Sequence, residues 1–300
     1  MTDVDPATPE RAGFITLVGR PNVGKSTLLN QVVGTTLAAV ANKPQTTRNR
    51  IVGILNRPYA QLVFVDTPGI HHAKTPLNAR LVTTARQALG EGDVCVLVID
   101  AAAGVTAGDR EVAEEVAKRP HPIVAATKTD LVARSNLLPV CAAAQRLLPT
   151  AEIVPVSGRT GDNVERLLAL ITERLPESPP LYPPDQVTEQ SERFLAAEIV
   201  REKVIAQTRD EVPYTTAVVV EAFREEPEKN LVVINAAIIV ERESQKGIVI
   251  GERGQRIKEI GKAARLALEA SFGCRIYLEL HVKVVPGWSR NARVLGELGS

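Results

Sequence analysis

Residues 14–30, FITLVGRPNVGKSTLLN, decide the fold. An apolar run ends at Gly19, a loop follows, and Lys25, Ser26 and Thr27 open a helical stretch. That is the strand–loop–helix setting of a phosphate-binding turn. Backbone N–H groups between Gly19 and Lys25 (across Arg20, Pro21, Asn22, Val23 and Gly24) would point into the loop, where a triphosphate fits. The helix N-terminus adds positive potential. Lys25 would reach the β- and γ-phosphates, and the Ser26 hydroxyl would bind Mg²⁺. The pattern arises by chance in roughly one chain of this length in a hundred.

Working outward from that turn, the chain to about residue 175 alternates apolar strands (14–19, 51–55, 61–66, 94–100, 122–127, 152–157) with helical stretches. The latter fall near 25–34, 75–90, 108–119, 135–148 and 163–174. This alternation predicts an α/β domain, a mostly parallel sheet with helices on both faces. PESPPLYPP, 176–184, holds five prolines in nine positions and reads as a semi-rigid extended spacer. Beyond it the pattern predicts a smaller α+β domain. A helix over 191–207 is followed by strands at 215–224 and 231–243, a helix at about 254–270 and an alternating strand at 275–284. The expected sheet is antiparallel, with one wet face. The organisation is therefore a flexible N-terminus (1–12), a first domain (13–175), a linker (176–190), a second domain (191–286) and a tail (287–300).

Composition limits what the chain can be. With 300 residues, two domains are expected. A formal net charge of +1 means that any basic surface is local. Three cysteines without CxxC spacing fit a reduced, cytoplasmic chain with neither a disulfide framework nor a zinc site. The polar, proline-broken start does not read as a signal peptide.

Three further stretches stand at strand ends in the order a GTPase needs. In VDTPG, Asp66 can hold Mg²⁺ through water, and the Gly69 N–H, after Thr67 and Pro68, can sense the γ-phosphate. PQTTR offers Thr47, or Thr46, as a second Mg²⁺ ligand, on a switch loop with Gln45 and Arg48 that orders around that phosphate. In ATKTD, Asp130 can accept from guanine N1–H and the N2 amine. The Lys128 stem can lie over the base, and Thr127 and Thr129 flank it. Backbone N–H groups at Ser157 and Gly158 would face guanine O6. Together these predict GTP and GDP as ligands, with Mg²⁺. Ile70 stands where many GTPases place a water-orienting glutamine, so slow intrinsic turnover is expected; His71 and His72 are weak substitutes. The Asn22 amide oxygen could ligate a monovalent cation such as K⁺ beside the phosphates.

GIVIGERGQRI, 247–257, is a second glycine turn, expected between an apolar strand and a basic helix. Gly251 and Gly254 permit close approach to a phosphate backbone. Lys246, Arg253 and Arg256 crowd the turn with Glu252. Ile250 and Ile257 form an apolar flank, and Lys258, Lys262 and Arg265 share a helix face. This is the pattern of a KH domain, whose GXXG loop clamps about four unpaired nucleotides. The bland alternative is a tight turn beside a solvated lysine-rich face.

GRPNVGKSTLLN, PQTTRNRIVGI, VDTPGIH, the spacer and GIVIGERGQRIKEIGKAAR together resemble the Era family of bacterial GTPases, over nearly the whole chain. TKTD departs from the family's usual NKxD, and VSG from its serine-alanine. The resemblance implies a type II KH domain binding the 3′ end of 16S ribosomal RNA and assistance in 30S subunit maturation. It also implies a cytoplasmic location with a peripheral membrane fraction. A monomer is expected. Two rivals are a metabolite phosphotransferase and a constitutive RNA binder that uses GTP only to fold.

Overall fold

The computed structural model describes residues 11–40, 49–69, 76–209 and 211–290. The chain divides into two compact units whose main boundary falls at Glu189/Gln190.

In the first unit the strands are β1 (Arg11–Val18), β2 (Ile51–Arg57), β3 (Ala60–Asp66), β4 (Val94–Asp100), β5 (Ile123–Thr127) and β6 (Glu152–Pro155). The helices are α1 (Lys25–Val33), α2 (Pro76–Glu91), α3 (Ala107–Val116), α4 (Arg134–Leu147) and α5 (Val164–Arg174). The sheet order is β2-β3-β1-β4-β5-β6, parallel except for the β2–β3 hairpin. Every residue of β3, β4 and β5 is buried, which is why these strands read as unbroken apolar runs. The chain leaves β1 toward β3 but leaves β4 toward β5. A crevice therefore opens at the carboxyl ends between them, where ligands of such sheets bind. The register brings the motif residues to that one edge: Leu17 lies opposite Asp66, and Asp100 opposite Thr127.

Two expectations change here. β1 begins at Arg11, which pairs with Ala60, so residues 11 and 12 belong to the sheet rather than to a flexible leader. The proline-rich segment is a strap on this unit, not a free spacer. Gly53 of β2 bridges Thr188, Ile54 N donates to Val187 O at 2.9 Å, and Gln61 bonds the backbone of Leu181 and Tyr182. Composition gave the extended conformation. The exposed edge of β2, with its unpaired backbone groups, supplied the partner.

The second unit contains α6 (Glu192–Gln207), β7 (Ala217–Glu226), β8 (Leu231–Val240), α7 (Glu243–Ile250), α8 (Gln255–Phe272) and β9 (Arg275–Val284). Its core joins Ile199, Val200 and Val204 of α6, Ile260, Ala264 and Leu268 of α8, and alternate residues of β8. The sheet is mixed, not antiparallel: β7–β8 is antiparallel and β8–β9 parallel. Alternation fixes which face is buried but not strand direction; the two-helix crossover between β8 and β9 makes that pair parallel. Nor is the outer face wholly wet. Trp288, placed in the tail by the sequence, is 2% exposed and packs on Ala217, Ala237 and Ile239. Among the described residues no helix is long and apolar enough to cross a membrane.

Candidate functional site: a nucleotide site and a GXXG turn

The loop after β1 closes around Lys25, whose Nζ donates to the carbonyls of Gly19 and Arg20, each at 3.0 Å. Lys25 is 6% exposed. Burial lowers its pKa to about 8, partly offset by the Asp66 charge. An ammonium desolvated in this way gains strongly from an arriving phosphate. Asn22 holds a left-handed φ of 64°, which turns successive N–H groups of the loop toward one side. Arg20 Nε lies 3.2 Å from both oxygens of Asp109, which is fully buried on α3. Asp109 also caps α3 by accepting from Thr106 N at 2.9 Å and Thr106 Oγ1 at 2.7 Å. The loop is thus pinned to a second helix.

Asp66 ends β3 fully buried, and Ser26 Oγ donates to its Oδ2 at 2.6 Å. Two hard oxygen donors at a helix N-terminus fit Mg²⁺. Among the described residues there is no group of three or more His, Cys, Asp or Glu that could hold a metal by itself. Mg²⁺ commonly keeps several waters and is bound through one or two carboxylates plus substrate phosphates. Thr67 Oγ1 donates to Leu17 O at 2.9 Å, tying the DTPG turn to β1. Gly69 lies against the phosphate loop so closely that a Cβ would come 2.5 Å from the Pro21 nitrogen. No larger residue fits there without moving one of the two loops. Gln45, Thr46, Thr47, Arg48, Ile70, His71 and His72 lie outside the described residues.

At the ends of β5 and β6 the structure assembles a second group. Ser157 Oγ donates to Asp130 Oδ1 at 2.7 Å while accepting from Thr160 N at 3.1 Å. This orients the carboxylate and leaves Oδ2 for a donor pair on a base. Lys128 Nζ bonds Asp100 Oδ2 at 2.7 Å, and Asp100 Oδ1 accepts from Ala102 N and Ala103 N. The lysine stem is held in place from below. The expectation for backbone donors at Ser157 and Gly158 narrows, because Ser157 N already donates to Asp162 O at 3.0 Å. The Gly158 N–H is the one left to face a guanine O6. Thr129, beside Asp130, begins a short 3-10 turn.

Asp100 and Asp109 were not singled out from the sequence. Asp100 did carry a signal, an acid at the carboxyl end of a buried parallel strand next to the strand that carries TKTD. Asp109 carried only that of a capping acid three residues after Thr106.

In the second unit the GXXG turn, Gly251–Gly254, joins two helices, α7 and α8. The segment before it was expected to be a strand, but it forms α7. Gln245, 1% exposed, accepts from Glu241 N at 2.9 Å and Arg242 N at 3.1 Å and so caps that helix. Short apolar runs such as IVI do not separate helix from strand. Gly251 has φ 73°, and a Cβ on it would meet Arg256 Cβ at 2.7 Å; only glycine fits on both counts. Glu252 and Arg253 are exposed at the tip, and Ile250 and Ile257 are half-buried beside it. Two of the six cations have partners: Arg256 bonds the Ile248 carbonyl and Arg265 pairs with Glu269 at 2.9 Å. Lys246, Arg253, Lys258 and Lys262 form the remaining basic rim.

Comparison with known proteins agrees with both units. Residues 14–128 match a family model described as a 50S ribosome-binding GTPase, and residues 211–289 one described as a KH domain. The chain is 48% identical over 290 residues to GTPase Era of Syntrophus aciditrophicus, covering 96% of this chain and 95% of that one. It is 46% identical to GTPase Era of Geobacter metallireducens, covering 97% and 98%. Among solved structures, Era in complex with MgGDPNP and nucleotides 1506–1542 of 16S ribosomal RNA superposes with TM-score 0.91 at 42% identity, covering 96% of this chain and 98% of that one. A variant of Aquifex aeolicus Era bound to GDP and aluminium fluoride gives the same score and identity, covering 96% and 99%. With a nucleotide site at one sheet's carboxyl edge and a GXXG turn between two helices, the chain belongs to the Era family of GTPases.

Proposed function

We propose that this GTPase binds the 3′ end of 16S ribosomal RNA through its KH unit, and that its nucleotide state governs when it does so. The reading rests on one observation: a single chain holds both a triphosphate cradle around Lys25 and an RNA-type turn at Gly251. Its relative of known structure was crystallised with a GTP analogue and that RNA together. Lys25, the loop amides, Ser26 and Asp66 would hold MgGTP, the metal supplying charge neutralisation at the phosphates. Asp130, oriented by Ser157, would select guanine. RNA phosphates would approach Gly251 and Gly254, with the basic rim supplying counter-charge.

Several finer parts follow the same reading. Turnover without a partner is slow, below about 1 s⁻¹, because Ile70 offers no hydrogen bond to the attacking water. A K⁺ ion at Asn22 supplies part of the missing charge, so that replacing potassium by sodium lowers turnover. The protein works as a cytoplasmic monomer on the maturing 30S subunit, with a peripheral fraction at the membrane.

The deciding experiment measures the affinity of a fluorescent RNA copying nucleotides 1506–1542 for the full chain in GDPNP and in GDP. Tighter binding in GDPNP is expected. Equal affinities would leave a constitutive RNA binder, and a phosphorylated small-molecule product during GTP turnover would indicate a phosphotransferase.

A further inference from the structure

Thr127 ends β5 with its side chain 1% exposed. Its Oγ1 is 2.9 Å from the Ile99 carbonyl oxygen and also hydrogen-bonds the Val23 carbonyl oxygen of the phosphate loop. A hydroxyl has one proton, and both carbonyls can only accept. The proton is therefore consumed inside the protein, whichever carbonyl holds it at a given moment. The side chain braces the phosphate loop against β4 and β5 and keeps no donor for a ligand.

A guanine base has two edges that a protein can read. N1–H and the N2 amine donate on one; O6 and N7 accept on the other. Asp130 serves the first edge, and the Gly158 N–H is placed for O6. The remaining acceptor, N7, adjoins O6 on the edge away from Asp130, and Thr127, which directly precedes Lys128 at the end of β5, has no proton left for it. We propose that this chain recognises guanine without reading N7, and that Thr127 is a positioning residue for the phosphate loop rather than a base contact. The inference rests on the guanine-nucleotide reading above and deepens it. It divides the site into a base-reading half at Asp130 and Ser157 and a brace at Thr127 that acts on every nucleotide alike.

The test compares GDP with 7-deaza-GDP, in which a C–H replaces N7, by titration calorimetry on the full chain with Mg²⁺. The wild-type dissociation constants are expected to agree within about twofold. Thr127→Asn introduces an amide with two N–H donors, one to brace Val23 and one to face the base. It should create a preference for GDP of about three- to tenfold, the effect of one added neutral hydrogen bond. Thr127→Val removes the brace, so it should weaken both ligands by the same factor and leave their ratio unchanged. A wild-type preference for GDP of fivefold or more overturns the proposal, as does a ratio that shifts in Thr127→Val. If Thr127→Asn does not fold, the wild-type and valine measurements still decide. Absence of any GDP binding by the wild type would instead sink the guanine-nucleotide reading itself.

Discussion

The side-chain amide of Gln61 grips the backbone of Tyr182 from both sides. Nε2 donates to the Tyr182 carbonyl at 2.8 Å, and Oε1 accepts from the Tyr182 N–H at 2.8 Å. Oε1 also accepts from Leu181 N at 2.7 Å, and Nε2 donates to Asn56 Oδ1 at 2.8 Å. One fully buried polar residue of β3 thus satisfies a proline-rich strap that has little secondary structure of its own. Gln61→Ala leaves two backbone N–H groups without their acceptor and should cost about 2–3 kcal/mol. Thermal unfolding of the full chain should register the loss. Limited proteolysis should show faster cleavage between 178 and 189; an unchanged cutting rate would mean that the strap is held elsewhere.

The lowered pKa of Lys25, about 8, gives nucleotide binding a pH dependence. Phosphate binding favours the ammonium form and so raises that pKa in the complex. Affinity for GDP should be level below pH 8. Above it, affinity should fall by up to tenfold per unit as the free protein loses the proton that the complex retains. Calorimetry in buffers of different ionisation enthalpy should find proton uptake on binding near pH 8.5. Lys25→Ala should abolish turnover at every pH.

Asp100 anchors Lys128 and accepts from two turn N–H groups. Asp100→Ala frees the lysine stem from the base face. GDP dissociation, followed with a fluorescent nucleotide by stopped flow, should accelerate about tenfold, equivalent to roughly 1.4 kcal/mol. Catalytic turnover at saturating GTP should change far less.

Four cations remain on the rim of the GXXG turn once Arg256 and Arg265 are assigned their partners. If all four contact single-stranded RNA, log K should fall against log salt with a slope near −3. Placing aspartates at Glu252 and Arg253, both exposed, should remove RNA binding while thermal stability and GTP turnover hold. A slope near zero would place the RNA on another surface.

Trp288 also donates from Nε1 to Thr215 O at 3.0 Å, beside the start of β7. Trp288→Ala should destabilise the second unit by about 3–5 kcal/mol. A chain truncated after Pro286 should behave alike in urea unfolding, since it loses Trp288 and its packing on Ala217, Ala237 and Ile239.

The chemistry of the nucleotide site was legible in the sequence because each part is local. The turn at Gly19–Ser26, the acid at Asp66 ending β3 (AQLVFVD), and TKTD all combine residue type with a strand end that apolar runs mark. The same held for the glycines of the RNA turn, where backbone geometry demands the residue. Relations between distant segments were not legible. Asp100 under Lys128, Asp109 behind Arg20 and Gln61 around Tyr182 join residues whose separation in sequence is set only when strands align. The parallel β8–β9 pair and the helix before Gly251 belong to the same class. Alternation and short apolar runs report burial, while strand direction and helical closure depend on what the rest of the chain supplies as partner. Sequence alone determined which groups this protein can present to a phosphate and a base. Tertiary structure decided which of them are already occupied, because a hydrogen bond made inside the fold, as at Thr127 and Ser157, is a donor withdrawn from the ligand.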